Sequence, residues 1–208
     1  VVSGNVSFYN GTNKKNIYPT PVIGGVGLIR KLSKPLNHIF QKEQSNLILI
    51  GKTFGHIEQS CFLKENYSLD EGLPPEINLL NEKNNGECVL KLIEKKLVLS
   101  AHDVSDGGLL TALAEMAMLS NYGAKITKPK NLTNLFKYFF GEDQARYIVE
   151  IPEVSLKKVK EILNKYSVHF DELGTVNGQS IAYKDDINLS IEELADAHKY
   201  WLKKYMDS

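Results

Sequence analysis

Leu97-Val98-Leu99-Ser100-Ala101-His102-Asp103-Val104-Ser105-Asp106-Gly107-Gly108-Leu109, with the run that follows it to Leu119, decides how this sequence reads. Leu97 to Leu99 is short and apolar, the end of a buried strand. His102 to Asp106 is a polar turn. Gly107-Gly108 then opens a stretch of Leu, Ala and Met, strong helix formers that leave the helix apolar nearly all round, as in a domain interior. A strand, a polar turn, paired glycines and a buried helix together bring a helix N-terminus close to a ligand. Its free N–H groups suit an anion, and glycine lets the backbone approach. His102, Asp103, Ser105, Asp106, Gly107 and Gly108 thus form a candidate ligand loop. The same residues allow a purely local reading, with Asp106 as helix cap and the glycines as a tight packing turn.

Further along, periodicity places more elements around this core. Asn46 to Ile50 is a buried strand ending at Gly51. Ile57 to Leu63 allows one or two helical turns. Glu76 to Lys96 has helical apolar spacing, with a polar patch at Lys83 to Gly86 that threatens to break it. Gly123 is placed to cap the central helix. Leu132 to Phe140 reads as a helix or turn. Gly141-Glu142-Asp143-Gln144-Ala145-Arg146 is a charged turn feeding a β-branched strand, Tyr147 to Ile151. Val154 to Tyr166 is an amphipathic helix. Val168 to Phe170 and Leu173 to Val176 read as strand with a break. Ser180 to Tyr183 is a last strand, paired back through an Asn177-Gly178 turn. Ser190 and Glu193 form a capping-box pattern that opens a closing helix to Met206. The expected fold class is α/β (α+β), a mixed β-sheet packed with helices.

The first forty residues read differently. In Val1 to Tyr9, Gly4 permits close backbone approach and Asn5 offers an amide oxygen, a ligand type that Mg2+ accepts alongside phosphate oxygens. A glycine turn ahead of a helix or strand explains the segment equally. Tyr18 to Pro21 is stiff and extended, and Val22 to Ile29, with three glycines, is read as a strand against which another backbone packs, or as part of a barrel wall.

Composition bounds the function. Lys+Arg and Asp+Glu are both 25, so net charge is zero and bulk electrostatic binding to nucleic acid is not indicated. Two cysteines, Cys61 and Cys88, are too few for a disulfide framework or a four-cysteine zinc site, and a reducing, cytoplasmic compartment is expected. No apolar run is long enough for a membrane helix. The sequence starts at Val1 in what reads as mid-domain, so a fragment of a longer chain is expected.

Four segments carry a family resemblance: Val2-Ser3-Gly4-Asn5-Val6-Ser7-Phe8-Tyr9-Asn10, Tyr18-Pro19-Thr20-Pro21-Val22-Ile23-Gly24, Ser100 to Leu109, and Phe140 to Arg146. In this order they resemble the C-terminal part of the phosphoribosylformylglycinamidine synthase large subunit. That family sits in a superfamily with aminoimidazole ribonucleotide synthetase and selenophosphate synthetase. The resemblance implies two pieces. Residues 1–42 would be the end of the second N-type, ATP-binding and barrel-forming domain, and residues 43–208 the second C-type domain.

It also implies a reaction. Formylglycinamide ribonucleotide, ATP and glutamine-derived ammonia would give formylglycinamidine ribonucleotide, ADP and phosphate in purine biosynthesis, with Mg2+. Gly4 would contact ATP, Asn5 would ligate the metal and Ser7 would touch substrate. The family's catalytic histidines fall outside the matched region, so no general base is assigned within these residues. Implied partners are a glutaminase subunit, a small bridging subunit and the missing N-terminal half. The closing helix ending so near Ser208 favours the separate-subunit form. Where the family's first half has Glu-Ser-Gln against substrate, this sequence has Glu142-Asp143-Gln144. The loop from His102 to Gly108 would then be a degenerate or auxiliary nucleotide site, or structural. A cyclising synthetase of the same superfamily, or a non-catalytic scaffold, are the competing readings.

Overall fold

The computed structural model describes residues 1–5, 11–17, 20–28, 35–127 and 134–207. They fall into two compact units, Val1–Lys34 and Pro35–Ser208. In the first, β1 (Gly11–Thr12) and β2 (Lys15–Asn16) form a short antiparallel ribbon. The expected strand from Val22 is absent: residues 22–28 lie outside any sheet, and Val22, Ile23, Val26 and Leu28 are exposed. Three glycines in that run leave too little side chain to hold a ladder within the unit.

The second unit is built on β3 (Asn46–Ile50), β4 (Ser100–Asp103), β5 (Ala124–Ile126), β6 (Tyr147–Ile151), β7 (Phe170–Val176), β8 (Ser180–Tyr183) and β9 (Ile187–Ser190). Their order across the sheet is β4-β6-β3-β7-β5-β8-β9. The β5–β8 pair is parallel and the rest are antiparallel, so the sheet is mixed as expected. Helices cover both faces. Leu47, Leu49 and Ile148 join one core with α3 (Gly108–Met118), α4 (Leu135–Phe140) and the start of α6 (Ile191–Met206). Ile48, Ile50, Val149 and Ile151 face α2 (Leu79–Glu94) and α5 (Glu153–Lys165). Alternation along β3 therefore puts apolar side chains on both sides, which is why its sequence reads as a continuous hydrophobic run.

Several local expectations are corrected. The buried apolar residues Leu97 and Val98 precede β4 instead of ending a strand, and His102 and Asp103 lie within β4, not in a turn. Helix α1 (Cys61–Tyr67) starts later than the apolar run at Ile57, because Ser60 supplies the cap. The polar patch Lys83 to Gly86 does not interrupt α2. Gly123 is not the cap of α3, whose cap is Leu119. It serves close backbone approach, since a Cβ there would collide with the main chain of Ser180. The strand with a break expected after α5 is β7, which starts at Phe170 and carries a register shift opposite Leu47 and Ile48. Nor does the Asn177-Gly178 turn pair β8 with β7: β5 lies between them.

A buried carboxylate anchors the entry to this unit. Glu150, fully buried on β6, accepts from the main-chain N–H of Gln41 (2.8 Å) and Lys42 (2.9 Å) and from the hydroxyls of Ser45 (2.7 Å) and Ser100 (2.8 Å). Phe40 adds its ring to the core and donates its N–H to Met116 O at 3.1 Å. Residues 35–42 are thus held on the second unit's sheet.

Candidate functional site

The strand-to-helix turn singled out in the sequence meets two other loops. Gly107 is the residue before α3, with φ +77, and no side chain caps the helix, so Asp106 is not the cap. Gly108 also has positive φ (+74), and a Cβ there would press on the carbonyls of Phe139 and Gly141 at 2.8 Å. Only glycine lets α3 start this close to residues 139–141. The Gly107 N–H does find an anion, and it is internal: Glu142 Oε1 accepts it at 2.8 Å. The same oxygen accepts the N–H of Cys61 at the start of α1, also at 2.8 Å. One carboxylate ties two helix starts together, as the partial positive charge at both predicts. Cys61 feels this: its thiol is pushed up from the ordinary value by desolvation and then by the Glu142 and Asp106 carboxylates, so it is not an activated nucleophile.

Asp143 repeats the arrangement one residue on. Its carboxylate accepts three successive main-chain N–H groups, from Phe54 (3.1 Å) and Gly55 (2.9 Å) on Oδ2 and from His56 (3.0 Å) on Oδ1. Gly55 makes the cradle possible, with φ +77 and Lys137 packed where a Cβ would sit. Behind it, the Arg146 guanidinium is buried. Its Nε donates to Asp143 O at 3.1 Å, its Nη2 to Gly141 O and its Nη1 to Thr53 Oγ1 at 3.3 Å. Nη1 lies 3.9 Å from Asp143 Oδ2. Burial pulls the guanidinium down from its ordinary value while the Asp143 carboxylate pulls it back up.

The other loop residues are placed as follows. His102 has both ring nitrogens engaged, Nδ1 at 2.6 Å from Asp103 O and Nε2 at 3.1 Å from Glu115 Oε2, and its ring meets His38 edge-on at 5.2 Å between centroids. Asp103, Ser105 and Asp106 are exposed. Among the described residues no group of three or more His, Cys, Asp or Glu could hold a metal. A cleft of about 310 Å³ opens at the Asp143 cradle, lined by Phe54, His56, Asn78, Asn81, Asp143 and Gln144 among others. The candidate loop from His102 to Gly108 does not line it.

With that geometry in view, likeness to known proteins becomes informative. The family described as AIR synthase related protein, C-terminal domain, matches residues 43–185. The chain belongs to this family. A protein named phosphoribosylformylglycinamidine synthase subunit PurL, from Pelagibacter ubique, is 50% identical over 208 residues, all of this chain and 28% of its own length. The protein of the same name from Bradyrhizobium diazoefficiens is 44% identical over 207 residues, 99% of this chain and again 28% of that one. The chain thus spans little more than a quarter of these relatives. Among solved structures, Thermotoga maritima PurL complexed with FGAR superposes with a TM-score of 0.63 at 20% identity, covering 77% of this chain and 29% of that chain, which supports the fold.

Three of the sequence-predicted site residues, Gly4, Asn5 and Ser7, precede the residues that the AIR synthase related domain matches. Gly4 and Asn5 lie in the first unit and are exposed, and nothing lies within 4 Å of a Cβ built on Gly4. Ser7 falls outside the described residues. No described helix is long and apolar enough to cross a membrane. The anchoring role of Arg146 and the cradle at residues 54–56 were not legible beforehand. Gly51 and Gly55 were the available signal, since a Cβ at Gly51 would strike the Ala145 carbonyl.

Proposed function

We propose that this chain is the C-terminal part of a phosphoribosylformylglycinamidine synthase large subunit, an ATP-dependent ligase of purine biosynthesis. The observation that carries this is the 50% identity to the Pelagibacter ubique protein along the whole of this chain. On this reading the parent enzyme transfers a phosphoryl group from ATP to the amide oxygen of formylglycinamide ribonucleotide. Ammonia then displaces phosphate to leave the amidine. Glutamine supplies the ammonia through a glutaminase subunit, with a small bridging subunit, in the cytoplasm. This portion alone is inactive, because on the family resemblance the catalytic histidines lie outside it and it holds a single prospective metal ligand.

Within that reading, residues 1–42 close the second N-type domain and residues 43–208 form the second C-type domain, with residues 35–42 as the connection held by Glu150. Gly4 contacts ATP, Asn5 gives one oxygen to Mg2+, and Ser7 contacts substrate. A magnesium ion keeps several waters and shares ligands with phosphates, so one amide oxygen fits as a contributor and not as a complete site. His102, Asp103, Ser105, Asp106, Gly107 and Gly108 belong to an auxiliary site of this second half that has become structural. Glu142 on the Gly107 N–H is the support for that last step.

The test is ATP turnover by the intact parent protein with free ammonia. ADP formed with formylglycinamide ribonucleotide, and only when ammonia is present, is the expected result. ADP formed with formylglycinamidine ribonucleotide, independent of ammonia, would move the chain to the cyclising synthetase. For Asn5, the expected effect of Asn5→Ala in the intact enzyme is a higher Mg2+ requirement; an unchanged dependence of rate on Mg2+ would remove the assignment.

A further inference from the structure

The N–H groups of Phe54, Gly55 and His56 point to one place, and a chain carboxylate fills it. Successive N–H groups converging in this way form a concave anion site, the arrangement that elsewhere holds phosphate. Here the donors sit 2.9–3.1 Å from the two oxygens of Asp143. The Arg146 guanidinium stands 3.9 Å from Oδ2 and adds fixed positive charge. The cradle is not sealed in the core. Phe54, His56 and Asp143 all line the cleft of about 310 Å³, as do Asn78 and Asn81. Glu76, also on the cleft lining, is exposed to solvent and opposes an anion only through a high dielectric.

We infer that Asp143 is a built-in anion, a carboxylate that occupies a main-chain oxyanion cradle suited to a phosphate and thereby closes this cleft to phosphorylated ligands. The inference rests on the hydrogen bonds at residues 54–56 and is independent of which reaction the parent enzyme performs. A free phosphate and the phosphate of a nucleotide share the chemistry the cradle recognises, and inorganic phosphate is the probe. Removing the side chain vacates the space of a carboxylate and leaves three N–H donors facing the cleft, next to an arginine. Glu142 remains in place, so the N-termini of α1 and α3 keep their own partner.

The experiment compares the wild-type chain with Asp143→Gly, each titrated with inorganic phosphate against sodium chloride of matched ionic strength. Thermal midpoint and the amide resonances of Phe54, Gly55 and His56 are the readouts. The variant is expected to melt below wild type in chloride, to be raised by millimolar phosphate, and to show shifts at those three amides. Its phosphate affinity is expected to exceed that of wild type by at least about tenfold, the equivalent of one hydrogen bond to a charged group. A wild-type chain whose three amides shift over the same phosphate range would overturn the inference. So would a folded Asp143→Gly chain indifferent to phosphate. If the variant does not fold in chloride, refolding from urea in phosphate decides: recovery of the native circular dichroism supports the built-in anion, and no recovery overturns it.

Discussion

Glu150 and Asp143 are both buried carboxylates, and both are surrounded by donors, yet they do different things. Glu150 sits on the sheet and gathers two main-chain N–H groups and two hydroxyls from two segments far apart in sequence, residues 41–45 and Ser100. Every donor is part of the fold, and the site is shut. Asp143 gathers three consecutive N–H groups from one loop and faces a cleft. Burial and hydrogen-bond count alone would rank the two together. The difference lies in the donors: scattered donors mark a carboxylate that holds segments together, and consecutive donors mark an anion site with a resident occupant. A third carboxylate, Glu193, completes the series on the surface, reaching back to the N–H and hydroxyl of Ser190.

The largest effect should come from Glu150→Ala. It strands two main-chain N–H groups and two hydroxyls in the interior, and a loss of about 4 kcal/mol or more is expected in urea unfolding. A loss smaller than that of Asp143→Ala, measured side by side, would break the contrast drawn above. Next is Gly108→Val, which forces a β-branched residue into φ +74 against the carbonyls of Phe139 and Gly141. The cost is about 3 kcal/mol, and an unchanged melting temperature would show that α3 does not need its close approach to the 139–141 loop.

Glu142→Gln tests whether the charge, and not only an acceptor, matters at the two helix starts. The carboxamide keeps one oxygen, so the expected loss is about 1 kcal/mol, falling as salt screens the helix-end interaction. Equal loss at low and high salt would assign the whole effect to hydrogen bonding. The smallest change is at Ser190, where Ser190→Ala should cost about 1 kcal/mol or less through the lost cap. Its hydrogen bonds hold the Glu193 carboxyl below its ordinary value. The stability that Glu193 contributes is therefore present above the ordinary glutamate pKa and lost as pH falls through the lower folded value. The gap in stability between wild type and Ser190→Ala should narrow as the solution is acidified. A gap that stays constant with pH would mean that the carboxylate takes no part.

Much of the architecture was legible from local pattern. The two faces of β3, the helical spacing of α2 and α5, and the capping box of α6 are each written within a few consecutive residues, where side-chain period and main-chain geometry act directly. Pairing was less legible. The Asn177-Gly178 turn signals a hairpin, but β5 takes the place beside β7 because its short apolar strand fits between β7 and β8. His102 and Asp103 were expected in a turn, and they continue β4 because β6 offers them partners at Ile148 and Tyr147.

By itself, the sequence determined that this is a mixed sheet with helices on it, that Gly107-Gly108 opens a buried helix, and that Gly141 to Arg146 is a charged turn. Only the tertiary structure decided what those charges do. The donors that Asp143 accepts are at residues 54–56, and those of Glu142 are at Cys61 and Gly107, brought together by the close approach of three loops. A carboxylate's role depends on which N–H groups surround it. Main-chain N–H groups carry no residue identity, so no reading of residue types could reveal that the anion sought at the helix start was already supplied by the chain.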